Sequence, residues 1–288
     1  MILLTGTTSS VGRALLNNLL NQDDNVHFRV VTRNLEIYPY ASFEKVQGDP
    51  SQPESLASAL RDATALFIDP RATGDAVGDL VDLARRQGVR RLVTLSEFRG
   101  DDLSVQTPCD SGDRIAEAED AVVASGLEWV ILRVGFLASD TMRMWAGQIR
   151  SGDVVRGAFA EWSAAPIHEI DIAAVVARAL LTDGLLGQKL ALTGPQMLTQ
   201  HEMVAAIGEA IGRPLYFQEI LPEDARQDMI GCGLDVGFVD ALLTAQAREV
   251  GRPTTATEEV ERVLGRPAKT YARWAAHHRP NFHDPALA

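Results

Sequence analysis

Cysteine is scarce in this chain. Cys109 and Cys232 are its only two in 288 residues, far apart and outside any metal-ligand spacing. Such a pair builds no disulfide framework and favours a reducing, cytoplasmic setting. Long apolar runs are missing too. No uncharged stretch approaches the ~20 residues that span a bilayer. Met1–Leu4 leads straight into an apolar strand pattern, with no charged region and cleavage site around a longer apolar core, so a signal peptide is not expected. Positive charge is in deficit, with 27 Lys and Arg against 39 Asp and Glu and a formal net charge of −12. The clustered basic footprint of a nucleic-acid surface is therefore absent. The expected partner is a small molecule, with no nucleic acid and no membrane, and the chain is expected as a monomer or homodimer. The histidines lack Cys or carboxylate partners at metal-site spacing: His277, His278 and His283 read as surface residues, His168 as structural, and no metal is expected.

What is present begins at the first residue. Met1–Leu20 reads MILLTGTTSSVGRALLNNLL. An apolar run is followed by a Gly/Ser/Thr turn and then by a helix pattern with Val11, Leu15, Leu16 and Leu19 on one face. Strand, loop and helix in that order open a dinucleotide-binding βαβ unit. The head of such a helix offers unpaired backbone N–H groups and partial positive charge to a pyrophosphate. Gly6 allows the sharp turn after the strand, and Gly12 the close packing of helix on sheet. The spacing departs from GxxGxxG at its middle position, where Ser9 stands. Its hydroxyl can donate to a phosphate, but its Cβ occupies space the backbone needs. Gly6, Thr8, Ser9, Ser10, Val11 and Gly12 are the expected phosphate-side contacts.

Strand and helix patterns alternate through the first half, which specifies an α/β, Rossmann-type, doubly wound parallel sheet. Strands are expected at 26–32, 43–46, 65–68, 91–96 and 129–134, and helices at 53–60, 78–87 and 113–124. After about Gly135 the alternation breaks. Residues 1–135 are assigned to the nucleotide-binding domain and 136–288 to a smaller, mostly helical substrate-binding or lid part. The segment 171–193, an almost wholly apolar helix and a late strand, is expected to pack back on the sheet. Thr199 and Glu202 have the spacing of a capping box before a helix ending near Gly212.

Several segments together carry a family resemblance: LLTGTTSSVGRALLNNLL, VVTRN, VQGDPSQPESLASAL, IAEAEDAVVASGLEWVILRVGF, EIDIAAVVARAL, LTGPQMLTQHEM and VLGRPAKTYARWAAHH. The chain resembles the NmrA-like atypical short-chain dehydrogenase/reductases, a group that includes triphenylmethane reductase-like and quinone oxidoreductase-like proteins. The resemblance implies a Rossmann-type domain, a small C-terminal substrate part and NAD(P) binding. It leaves activity open, because some members reduce quinones, dyes or natural-product intermediates and others are redox sensors without turnover.

Thr32-Arg33-Asn34, after the second strand, contains no acid for the 2′-hydroxyl of NAD, whereas Arg33 can hold the 2′-phosphate of NADP. NADP(H) is therefore expected over NAD(H). Asp49 resembles the family's adenine-side Gly-Asp pair, with a turn or N-cap as its plainer role. Ile68 and Pro70, at the end of the fourth strand, and Val134 and Gly135, at the end of the sixth, complete the expected cofactor contacts.

Tyr-xxx-Lys, the usual proton-delivery motif of short-chain reductases, is excluded. Tyr38, Tyr40, Tyr216 and Tyr271 are followed four residues later by Ser42, Glu44, Ile220 and Ala275. The only lysines, Lys45, Lys189 and Lys269, are remote in sequence from the fifth strand and the helix after it. Where some relatives carry Lys or His early in that helix, this chain has Arg114, a poor proton donor. Ser96 and Glu97 at the end of the fifth strand are the candidate catalytic residues. Their plainer roles are a strand-end cap and a solvated carboxylate. Glu119 matches the family's acid on the next helix and reads as structural, and Asp171 reads as the N-cap of the buried helix. Phe98, Phe136, Met142, Trp145, Phe159 and Trp162 are expected to line a cleft for a flat apolar substrate. The leading expectation is an NADP(H)-dependent reductase of a small aromatic, quinone-like or polyketide-type intermediate. The alternatives are a non-catalytic NAD(P)-binding regulator and a repurposed fold catalysing non-redox cyclisation or isomerisation.

Overall fold

A computed structural model gives the fold and describes residues 1–22, 26–39, 42–98, 110–251 and 255–283. The first part of the chain runs β1 (Ile2–Leu4), α1 (Ser10–Leu20), β2 (Phe28–Thr32), β3 (Glu44–Gln47), β4 (Ala65–Ile68), α2 (Pro70–Thr73), α3 (Val77–Arg86), β5 (Arg91–Glu97), α4 (Asp110–Ala124) and β6 (Glu128–Val134). It continues with α5 (Ala138–Ser151), β7 (Val154–Gly157), β8 (Ser163–Ala164), α6 (Glu169–Leu181), β9 (Gln188–Leu192), β10 (Leu198–Thr199) and α7 (Gln200–Ile211). The last elements are β11 (Tyr216–Glu219), α8 (Pro222–Gly231), α9 (Val236–Glu249), α10 (Glu259–Leu264) and α11 (Tyr271–His277). The chain forms two compact units: Met1–Val134 with Glu169–Leu192 and Arg262–Gly265, and Gly135–His168 with Thr193–Glu261 and Arg266–Ala288.

The first unit is built on a seven-stranded sheet in the order β3-β2-β1-β4-β5-β6-β9, every neighbouring pair parallel. Parallel strands need crossovers, and crossover helices bury both faces. That is why β1 and β4 are apolar and buried at every position. Leu3, Val31, Leu66, Ile68, Leu92 and Ile131 share one core cluster with Leu80, Val81 and Leu83 of α3 and Val122 of α4. Ile2, Leu4, Phe67 and Val93 alternate to the opposite face and are buried as well. α6 packs on β4, β5 and β6 and lies along α1, its small residues Ala173, Ala177 and Ala179 buried.

Two local expectations need correction. Residues 53–60 form only a short 3₁₀ turn, Pro53–Leu56, followed by further turns. Asp171 lies inside the first turn of α6, which begins at Glu169, and is not its N-cap.

The second unit has its own core, with Trp145, Tyr271, Trp274, Met203 and Ile207 among its fully buried side chains. Two ribbons, β7–β11 parallel and β8–β10 antiparallel, stand beside the helices. The Thr199/Glu202 capping box is formed: the Glu202 N–H donates to Thr199 Oγ1, and the Thr199 N–H donates to Glu202 Oε2 at 2.7 Å. α7 ends at Gly212, whose φ is 71°. No helix among the described residues is long and apolar enough to cross a membrane.

Two glycines make opposite demands. A Cβ on Gly12 would lie 2.2 Å from the Gly6 carbonyl oxygen and 2.6 Å from Thr7 Cα, so it must displace backbone. A Cβ on Gly147, within α5, meets no heavy atom within 4 Å. In urea titrations Gly147→Ala should stabilise the chain by about 0.5–1 kcal/mol through helix propensity. Gly12→Ala should destabilise it by about 1–3 kcal/mol through overpacking. Equal effects of the two substitutions would refute this assignment of the loop.

Candidate cofactor and active site

The strand order reverses direction between β1 and β4. In open parallel sheets this switch point, outside the carboxyl ends of the strands, is where ligands bind. Three segments meet there: the loop after β1, the head of α1 and the turn after β4. Gly6 takes φ +65°, and an added Cβ would lie 2.4 Å from Asp69 Cβ. The Ser9 N–H closes the turn on the Gly6 carbonyl at 3.0 Å. Ser9 is the N-cap of α1, its hydroxyl accepting the Gly12 N–H at 3.0 Å.

Asp69 completes this loop from β4, although the sequence motifs did not single it out. Only 3% of its surface is exposed. Its Oδ2 accepts the Ser9 hydroxyl at 3.1 Å, and its Oδ1 accepts the Arg71 N–H at 3.0 Å as the N-cap of α2. Its own N–H donates to Thr5 Oγ1 at 2.9 Å. Burial pushes this carboxyl above its usual range, against the smaller opposing effects of the Arg71 N–H, the Ser9 hydroxyl and the Arg71 charge. The Ser9 proton is thus directed at Asp69.

The remaining phosphate-side candidates surround the same helix head. Thr8 is exposed, its carbonyl held by Arg13 at 2.7 Å, Ser10 is half-buried, and Val11 is in the core. Ile68 is fully buried and Pro70 opens α2. A helix head at the switch point, and a cradle that a Cβ at Gly6 or Gly12 would fill, fits a dinucleotide pyrophosphate.

On the far side of the switch point, Arg33 follows β2 and is exposed. Asp49 follows β3. Its Oδ1 accepts the Ser51 hydroxyl at 2.8 Å and the Ser51 N–H at 3.0 Å. Those bonds, with a smaller contribution from the nearby Arg33 charge, hold its carboxyl below the usual range. Asp49 thus makes the bonds of a turn, beside an exposed arginine.

At the end of β5, Ser96 and Glu97 diverge. Glu97 is exposed, whereas Ser96 is half-buried and donates its hydroxyl to Glu119 Oε1 at 2.6 Å. Glu119, on α4 and 5% exposed, also receives Arg133 Nε at 2.9 Å, Arg133 Nη2 at 2.6 Å and Lys189 Nζ at 2.7 Å. One carboxylate thus ties α4 to three adjacent strands, β5, β6 and β9. Burial pushes the Glu119 carboxyl up, but the bonds from Arg133, Lys189 and Ser96 outweigh it and hold its pKa at about 2. Lys189, remote in sequence, is here two hydrogen bonds from Ser96. Its only local signal is a lysine beside the apolar Leu190, Ala191 and Leu192 of a late strand. The position of Arg114 within α4 leaves its side chain outside the described residues.

Val134 ends β6, and its carbonyl accepts the Phe98 N–H at 2.9 Å. Phe98 is half-buried in the first unit. In the second unit Gly135, Phe136, Met142 and Phe159 are half-buried, Phe159 with φ 57°. Trp162 is 3% exposed, edge-on to Phe136 with centroids 5.1 Å apart, and its indole N–H donates to Glu249 at 2.8 Å. Trp145 is fully buried against Phe217, so it belongs to the core and not to a cleft wall. Met142 lines a cavity of about 330 Å³ with Arg143, Arg150, Cys232, Leu234 and Asn281. His168, read as a lone structural residue, lies with its ring 5.6 Å from that of His277 and 6.0 Å from that of His278. No group of three or more metal-ligating side chains among the described residues is placed to hold a metal ion.

Residues 6–183 match the NAD(P)H-binding family. The chain is 32% identical to the (4-alkanoyl-5-oxo-2,5-dihydrofuran-3-yl)methyl phosphate reductase of Streptomyces griseus, over 98% of this chain and 99% of that one. It is 29% identical to the NAD(P)H azoreductase of Xenophilus azovorans, over 98% and 99% of the two chains. Its fold matches the crystal structure of an NADPH-dependent quinone oxidoreductase from Escherichia coli complexed with NADPH, with a TM-score of 0.81 and 22% identity, covering 96% of this chain and 99% of that one.

The Glu119 cluster gives a pH signature. Its folded pKa, about 2, lies below the ordinary value of 4.5, so its contribution is fully present above pH 4.5 and is lost as pH falls through 2. Glu119→Gln should cost about 3 kcal/mol at pH 7, with the gap to wild type closing as pH falls from 5 towards 2. Denaturant titrations across that range check this, and a gap that stays constant with pH would refute it.

Proposed function

The chain belongs to the NAD(P)H-binding family, as an NmrA-like atypical short-chain dehydrogenase/reductase, and we propose that it is an NADPH-dependent reductase of a small aromatic, quinone-like or polyketide-type molecule. The observation that carries this reading is the glycine cradle at the β1/β4 switch point, with the exposed Arg33 and no acid at the end of β2. The loop from Gly6 to Gly12 would hold the pyrophosphate and Arg33 the 2′-phosphate, which selects NADPH over NADH. The reductases and the quinone oxidoreductase that the chain is similar to support the same reading.

A bound reduced nicotinamide supplies a hydride to an electron-poor acceptor. The protein's own residues bind and orient. Ser96 directs its proton at Glu119, which stays ionised above pH 2 and so holds no proton to give. The lone pairs of the Ser96 oxygen can accept a hydrogen bond from a substrate hydroxyl. Acceptors that need no positioned acid, such as quinones and cationic or conjugated dyes, suit this arrangement best. Phe98, partly exposed just beyond β5, supplies apolar contact for such rings.

Fluorescence titration should show NADPH binding much tighter than NADH. Arg33→Ala should weaken NADPH by about tenfold or more, the size of one lost charge-assisted contact, and leave NADH nearly unchanged. Equal loss for both cofactors would remove Arg33 from the site. NADPH oxidation with a panel of quinones and dyes tests turnover, and tight binding without any turnover would favour the regulatory reading.

A further inference from the structure

The Ser9–Asp69 pair does more than close the loop. A serine hydroxyl has one proton to donate and two lone pairs with which to accept. At Ser9 one lone pair takes the Gly12 N–H at 3.0 Å, and the proton goes to Asp69 Oδ2 at 3.1 Å. In this state Ser9 offers an incoming phosphate a lone pair and no proton. Asp69, 3% exposed, sets a carboxylate directly behind the loop, where a Cβ on Gly6 would lie 2.5 Å from its Oδ2. Both features oppose an anion at the head of α1.

One proton reverses both. Placed on Asp69 Oδ2, it makes that carboxyl the donor and the Ser9 oxygen the acceptor. Ser9 then accepts from Gly12 and Asp69 together and turns its own O–H outward, while the charge behind the loop is removed. The proton comes from solvent, and no electrons move. The other oxygen, Oδ1, keeps the Arg71 N–H and the cap of α2. We propose that Asp69 is a positioning residue of the dinucleotide loop, and that occupation of the loop by a pyrophosphate is accompanied by uptake of one proton on the Asp69 carboxyl. The proposal rests on the NADPH reading of this loop.

The groups around Asp69 permit the change. From α2, Arg71 is the charged residue acting on it. From α1, Arg13 turns its guanidinium to the Thr8 carbonyl at 2.7 Å. Thr5, just after β1, donates its hydroxyl to the Phe67 carbonyl, and Thr73 donates to the Asp69 carbonyl at 3.1 Å. Burial already favours the neutral carboxyl.

The test is calorimetric titration of the full chain with NADPH, in buffers of different ionisation enthalpy, from pH 5 to 8. Asp69→Asn is the matched variant: its amide donates to Ser9 and its carbonyl accepts from Arg71, the hydrogen-bond pattern of the protonated state. The 2′-phosphate of NADPH titrates as well, so the difference between the two proteins carries the readout. Wild type should take up close to one proton more than Asp69→Asn. Its NADPH affinity should fall by up to about tenfold per pH unit relative to the variant as pH rises. On the wild type alone, difference infrared spectra should gain a protonated-carboxyl band when NADPH is added, a readout that stands even if the variant folds poorly. NADPH binding with equal proton uptake in both proteins, or with no carboxyl band, overturns this proposal and leaves the reductase reading intact. Failure of wild type and Asp69→Asn alike to bind NADPH overturns both.

Discussion

The reversal of strand order between β1 and β4 is the constraint on which the candidate site depends. With β1 and β4 adjacent and parallel, the connections leaving their carboxyl ends run to opposite faces of the sheet. The backbone there must turn sharply, and the sheet interior beneath offers no water. Gly6 supplies the turn, Ser9 caps α1 and Asp69 caps α2. The two caps are joined by one hydrogen bond, so each helix head is fixed relative to the other. Loop shape, helix position and the charge behind the cradle are set together.

A second carboxylate organises the other end of the same sheet. Glu119 ties β5, β6 and β9 to α4, and its four bonds keep it ionised where burial alone would neutralise it. Asp69 has fewer donors, one hydroxyl and one backbone N–H, and its pKa moves upward. The contrast follows one rule. Burial penalises charge, and the penalty is reversed only where enough donors, cationic ones above all, meet the carboxylate at hydrogen-bonding distance. Glu119 has two such partners and Asp69 has none. One serves as a permanent anion, while burial moves the other toward its neutral form.

The sequence alone specified the parallel sheet, most of its helices and the sharp turn after β1. Those features follow from local rules: apolar runs such as Ile2–Leu4 and Ala65–Ile68 are strands buried on both faces, and Gly6 and Gly12 stand where backbone must turn or touch. The Thr199–Glu202 box is local in the same sense. Tertiary structure alone decided what each candidate side chain does. Ser9 donates to Asp69 across 60 residues, and Lys189 reaches Glu119 across 70. Trp145 is core where its composition fitted a cleft wall, and the β7–β11 ribbon joins segments that carry no strand signal of their own. Periodicity records which face of an element is buried, whereas a hydrogen bond between distant residues exists only once the sheet has set its strands in order.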